Sequence, residues 1–166
     1  MEAICARECC WYDQIVVQSR RRQNNTCAAL LVVWGISFFL PAMQVDTFGN
    51  GRLTQRGWEL ALSSMVFFWF PYYGQLWLVN PLMATAPYFL KRIRNGKGRV
   101  YVIFLAIFAI LPLGFPFFPN AGFMETFRGL AFGFYVWTAS LLGMAILCIG
   151  MISDRAKALA PHTLAD

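Results

Sequence analysis

GWELALSSMVFFWFPYYGQLWLVNPLMATAPYFLKRIRNGKGR, residues 57–99, is the stretch on which the architecture of this chain turns. From Gly57 to Leu90 it runs 34 residues with a single charge, Glu59. A straight helix of that length measures about 51 Å, against a hydrocarbon core of about 30 Å. Pro71 divides the run into Trp58–Phe70 and Tyr72–Leu90. The next nine residues, Lys91–Arg99, hold five basic ones. If both halves crossed a membrane, this basic cluster would face the side opposite the basic N-terminus, against the positive-inside tendency. One crossing by Tyr72–Leu90 puts both on the same side. Trp58–Phe70, with 13 residues, then reads as a half-length outer element, interfacial or re-entrant.

Working outward, three further apolar segments appear. Thr26–Val45 is uncharged and reads as a retained signal-anchor span. Val100–Phe118 is uncharged, and Pro112, Gly114, Pro116 and Pro119 predict unwinding towards and beyond its far end. Gly129–Ile152 is also uncharged. The expected fold is therefore an all-α polytopic membrane bundle with spans at 26–45, 72–90, 100–118 and 129–152 and a half-length element at 58–70. Residues 1–25 and 153–166 read as cytoplasmic tails. The first tail either forms a short surface helix, with Trp11, Tyr12, Ile15 and Val16 on one face, or leads in disordered. Asp46–Arg56 reads as a polar outer loop around the turn signal Gly49-Asn50-Gly51.

Charge supports this partition. Arg7, Arg20, Arg21, Arg22, Lys91, Arg92, Arg94, Lys97, Arg99, Arg155 and Lys157 fall on the inner segments, which makes eleven. Arg52, Arg56 and Arg128 fall on the outer ones, which makes three and completes the 14 basic residues of the chain. Both termini are thus expected on the cytoplasmic side of the membrane. Composition agrees: 58% of the 166 residues are hydrophobic and 13% charged, where soluble domains carry about 25% charge. The net charge of +6 suits anionic headgroups, and no basic face outside the flanks suggests nucleic acid.

Polar groups within the apolar segments are few. Asn80, beside the helix-breaking Pro81, and Gln75 are candidate intramembrane polar contacts. Asn80 either satisfies backbone or a neighbouring helix, or it contacts a solute at a broken helix. In the fourth segment Gly129, Gly133, Ser140, Gly143 and Gly150 recur at steps of three and four, a small-residue stripe suited to close helix packing. The stripe serves either the bundle itself or a partner. Trp58, Trp69, Tyr72, Tyr73 and Trp77 gather at the outer boundary, as an aromatic belt or as an aromatic surface for a hydrophobic partner. The five cysteines (Cys5, Cys9, Cys10, Cys27 and Cys148) make no metal-ligand spacing with the lone His162. No catalytic residue, metal or cofactor is expected.

Trp77-Leu78-Val79-Asn80-Pro81-Leu82 and Gly133-Phe134-Tyr135-Val136-Trp137-Thr138-Ala139-Ser140 carry a resemblance. With Phe39-Leu40-Pro41-Ala42 and Gly57-Trp58-Glu59, the chain resembles a group of small, uncharacterised bacterial four-helix inner-membrane proteins with a W-L-x-N-P-L motif and a late G-Y-x-x-W-x-x-S motif. Val79 stands where that group has Ala, and the later motif matches loosely. The resemblance covers roughly 26–152 and implies the architecture and membrane, not an activity. The functional expectation is a non-catalytic interaction protein: an accessory subunit of a membrane complex, or an immunity protein. Its partners would be the bilayer and either another membrane protein or a second copy. The alternatives are a small transporter or pore for a neutral or lipidic solute, and a lipid-modifying enzyme using Glu59 and Glu125.

Overall fold

The computed structural model describes residues 2–47, 51–66, 71–113 and 125–159, with side chains at 16–44, 53–62, 78–113 and 129–156. It is mostly helical. Among the described residues the helices are α1 (Glu2–Ser37), α2 (Gly57–Val66), α3 (Pro71–Arg94), α4 (Arg99–Ile110) and α5 (Phe132–Leu159). Three strands join them: β1 (Pro41–Thr47), β2 (Gly51–Arg56) and β3 (Glu125–Leu130). Helix α5 packs against α1, α3 and α4, and α1 and α4 each also meet α3 or its neighbours in one bundle.

Four helices feed the core, α3 and α5 through stripes at steps of mostly three and four. In α3 the stripe is Val79, Met83, Ala86, Leu90 and Ile93, all buried. In α5 it is Leu141, Met144, Ala145, Cys148 and Met151. Helix α4 adds Leu105 and Ala109, and α1 adds Cys27 with Leu30, Leu31 and Trp34 packed beside it. Phe89 and Tyr101 stack across the α3–α4 contact with ring centroids 4.1 Å apart.

The three-stranded sheet is an addition to the all-α expectation. Its order is β2-β1-β3, and both pairings are antiparallel. Thr47 pairs with Gly51 and Val45 with Leu53. On the other edge Thr47 pairs with Glu125 and Met43 with Leu130. The first span expected at 26–45 is therefore corrected: its helix ends at Ser37. Phe38, Phe39 and Leu40 donate to the carbonyls three residues back, which tightens the last turn. Pro41 then disfavours a helical Leu40 and opens a strand. The expected start of the fourth segment at Gly129 is corrected in the same way. Glu125–Leu130 is strand, and the helix begins at Phe132. The N-terminal residues are not a separate short element, since α1 runs unbroken from Glu2 through the basic Arg20–Arg22 into the apolar segment.

The half-length element appears as α2, ten residues long. Its start is locked by a reach-back bond: the Arg56 amide donates to Glu59 Oε2 at 2.7 Å, which is half of a capping box. Helix α4 loosens into a 3-10 turn at Leu111–Leu113, around Pro112. Among the described residues one helix, Phe132–Ala156, is long and apolar enough to cross a membrane, and Arg99–Leu113 is apolar but shorter.

Candidate functional site

The sheet and α2 converge over one end of the bundle. Gly57 and Trp58 donate to the carbonyls of Leu40 (3.1 Å) and Phe38 (2.9 Å), tying α2 to the end of α1. Ala131 donates to the Ala42 carbonyl at 2.9 Å, tying the start of α5 to β1. Two glycines permit this approach. A Cβ on Gly57 would lie 2.6 Å from the Ser37 carbonyl oxygen, and one on Gly133 would lie 2.7 Å from that of Pro41. Both obstacles are backbone, which cannot swing aside.

These junctions frame a narrow cleft. Ser37 and Phe38 come from α1, Ala42 from β1, and Gly57, Leu60 and Ala61 from α2. Asn80 comes from α3, and Gly133, Phe134 and Trp137 from α5. None of these ten residues is ionisable. The polar centre is a bond between helices: Trp137 Nε1 donates to Asn80 Oδ1 at 3.2 Å. The Ser37 hydroxyl turns back to the Trp34 carbonyl at 2.5 Å. Phe134 is buried, with its ring 6.0 Å from that of Trp137.

The cleft joins the two sequence motifs, because Asn80 belongs to the first and Gly133, Phe134 and Trp137 to the second. Nothing in the sequence marked Trp137 as the partner of Asn80. The only local hint was an indole and an amide in otherwise apolar segments. Further along α3, Thr85 donates to the Pro81 and Leu82 carbonyls (2.8 and 3.1 Å), and the Tyr101 hydroxyl donates to the Leu82 carbonyl at 2.8 Å. Pro81 and Pro87 interrupt the backbone ladder here. Hydroxyls from the same and the neighbouring helix thus add side-chain bonds to the backbone between the two prolines.

The small-residue stripe divides. Gly133 abuts the α1–β1 connection, and a Cβ on Gly143 would lie 2.8 Å from Leu30 Cδ2. Ser140 is buried, and its hydroxyl donates to the Trp137 carbonyl at 2.7 Å. Gly129 lies in β3, and both it and Gly150 have open space where a Cβ would sit. Of the aromatic group, Trp58 is exposed at the start of α2. Tyr72, Tyr73, Gln75 and Trp77 lie in the first two turns of α3, but their side chains, and all of Trp69, fall outside the described residues. So do Gly114–Pro116 and the side chains of Cys5, Cys9, Cys10 and Glu125. Cys27 and Cys148 are free thiols within the shared core. Among the described residues no cluster of His, Cys, Asp or Glu has a metal-binding arrangement. Compared with protein-family models, curated proteins and solved structures, the chain matches none of them.

Proposed function

We propose that the protein is a multi-pass membrane protein that acts through binding rather than catalysis, as an accessory subunit or an immunity protein. One observation carries the membrane reading: α4 is apolar on every face, yet half of it is uncovered. Tyr101, Val102, Leu105 and Ala109 are buried, while Val100, Ile103, Phe104, Ile107 and Ile110 are 50–66% exposed. A helix apolar all round belongs in a protein core or in lipid, and the outward face of α4 lies in no core. Val32, Val33 and Ile36 on α1 and Ile146 and Ile149 on α5 are exposed apolar side chains as well. The helices placed in the bilayer are α1 beyond Asn25, most of α3, α4 and α5, of which α5 has the length and apolarity to cross by itself. The sheet and α2 lie on the outer side, with both termini inside, in a bacterial inner membrane.

Binding is favoured by the chemistry of the outer cleft. Its walls offer apolar shape, an indole and an amide already engaged with each other, and no titratable group. Crosslinking in native membranes, followed by purification in mild detergent, tests this. A discrete heteromeric or homomeric band is expected; a chain that runs alone near its own 18.9 kDa overturns the interaction reading. Reporter fusions at Asn95 and Asn50 test orientation, with cytoplasmic and periplasmic signals expected respectively.

A further inference from the structure

At the opposite end of the bundle, α1, α3 and α5 border an open groove of about 830 Å³. Arg20 and Gln23 enter from α1, Arg94 from α3 and Arg155 from α5, over an apolar floor that includes Ile93 and Met151. A second groove of about 570 Å³ shares Ile93 and Arg155 and adds Lys97 and Arg99. Three cations therefore line the larger groove and two more the groove beside it, drawn from residues separated by up to 135 positions in the chain.

The arginines are held in place by neutral groups. Arg155 Nη1 donates to the Arg94 carbonyl at the end of α3. Gly96, at φ +79°, makes room for that guanidinium, since a Cβ there would lie 2.7 Å from Arg155 Nη2. Arg94 Nη2 donates to Asn24 Oδ1 at 2.6 Å. Arg94 Nε is shielded from solvent and has no acceptor among the described residues. No carboxylate among the described side chains pairs with these arginines. The acidic residues nearest in the chain are Asp154, exposed on α5, and Asp13, seven residues before Arg20 on α1. A buried donor without an acceptor is costly, and clustered guanidiniums match phosphate oxygens through forked hydrogen bonds.

We propose that this groove binds the phosphate of an anionic phospholipid, with the headgroup among Arg20, Arg94 and Arg155 and the glycerol end against the apolar floor. Basic pockets between helices at a membrane face suit such headgroups. The proposal rests on the membrane reading only for the source of the phosphate. Binding in detergent does not depend on orientation, so a failed topology test and a failed lipid test remain separate results.

Native mass spectrometry of the full-length protein in neutral detergent provides the test, with phosphatidylglycerol and phosphatidylcholine of identical acyl chains as probes. Phosphatidylglycerol is expected to bind about tenfold or more tightly than phosphatidylcholine. R94Q/R155Q is expected to weaken it about tenfold or more, since two of the cations facing the headgroup are removed. A charge-matched control, R56Q/K91Q, lies outside the groove and is expected to leave binding unchanged. Arg20 holds no bonded partner among the described residues, so R20Q keeps the test alive if the double variant fails to fold; a severalfold loss is expected. Competition by glycerol 1-phosphate at the same concentration as the lipid would keep the site and assign it a soluble phosphate. Equal binding of the two lipids, or R20Q and R94Q/R155Q both binding like the parent protein, overturns the proposal.

Discussion

The two ends of this bundle solve one problem with different means. Helix ends leave backbone groups without partners, and where they are shielded from water those groups need them. At the sheet end the backbone answers itself: Gly57, Trp58 and Ala131 amides reach the Leu40, Phe38 and Ala42 carbonyls. At the basic end a side chain and a turn do the work. Arg155 takes the Arg94 carbonyl, and the Lys97 amide closes on the Arg92 carbonyl at 2.8 Å while Gly96 closes on Ile93 at 2.9 Å. That pattern is a Schellman cap, with Gly96 in the left-handed position. The sheet end is thus built from close backbone contacts that tolerate no added bulk. The basic end is built from long, exchangeable side chains that keep spare donors for a ligand.

Substitutions break this comparison in a graded way. The largest effect is expected at the sheet end. Gly133→Leu places atoms against the Pro41 carbonyl and Leu40, so a loss of about 3 kcal/mol or more is expected, read as a lower thermal midpoint or lost monodisperse yield. Gly150→Leu, in open space, is expected to stay within about 0.5 kcal/mol. At the basic end Gly96→Ala forces an L-residue into the left-handed region, at about 1–2 kcal/mol, and displaces Arg155. Gly96→Asn is expected to recover part of that loss, and equal midpoints for the two would contradict the turn geometry. Smaller still is the bond across the cleft. A double-mutant cycle of Asn80→Ala and Trp137→Phe is expected to show coupling of about 0.6 kcal/mol, the size of a modest interhelical hydrogen bond; additive losses would dissolve the pair. Last comes Glu59→Ala, at about 0.5 kcal/mol, visible as faster amide exchange at the start of α2, with Glu59→Gln retaining the reach-back bond.

The helical parts and the sheet were not equally legible in the sequence. Helix α2 was visible because Pro71 and the Lys91–Arg99 cluster limit what the 34-residue run can do, and both signals are local. The placing of Asn80 beside a break followed from Pro81 alone. The sheet had no such signal. Pro41-Ala42-Met43-Gln44-Val45 is short and apolar, and over five residues a strand and a helix end look alike. Its β3 partner lies about eighty residues away, so the pairing is a tertiary fact that no local pattern encodes. Gly129 and Gly133 satisfy G-x-x-x-G whether or not one helix contains both, and here the strand ends between them. The basic groove was hidden for a related reason. Charge counts put Arg20, Arg94 and Arg155 in basic flanks of apolar segments, but do not reveal that three helices bring them to one depression.

The central position of β1 has a consequence for how the chain assembles. Its pairing with β2 is a hairpin complete within residues 41–56, available as soon as that segment leaves the ribosome. Its other edge must wait for Glu125–Leu130, and so for α3 and α4 to be placed. Closure of such non-local pairs is slow, and an unpaired strand edge invites other chains meanwhile. The order of synthesis therefore makes the arrival of β3 and α5 the last step that seals the molecule. A chain stalled before residue 125 would present an open, adhesive β1 edge.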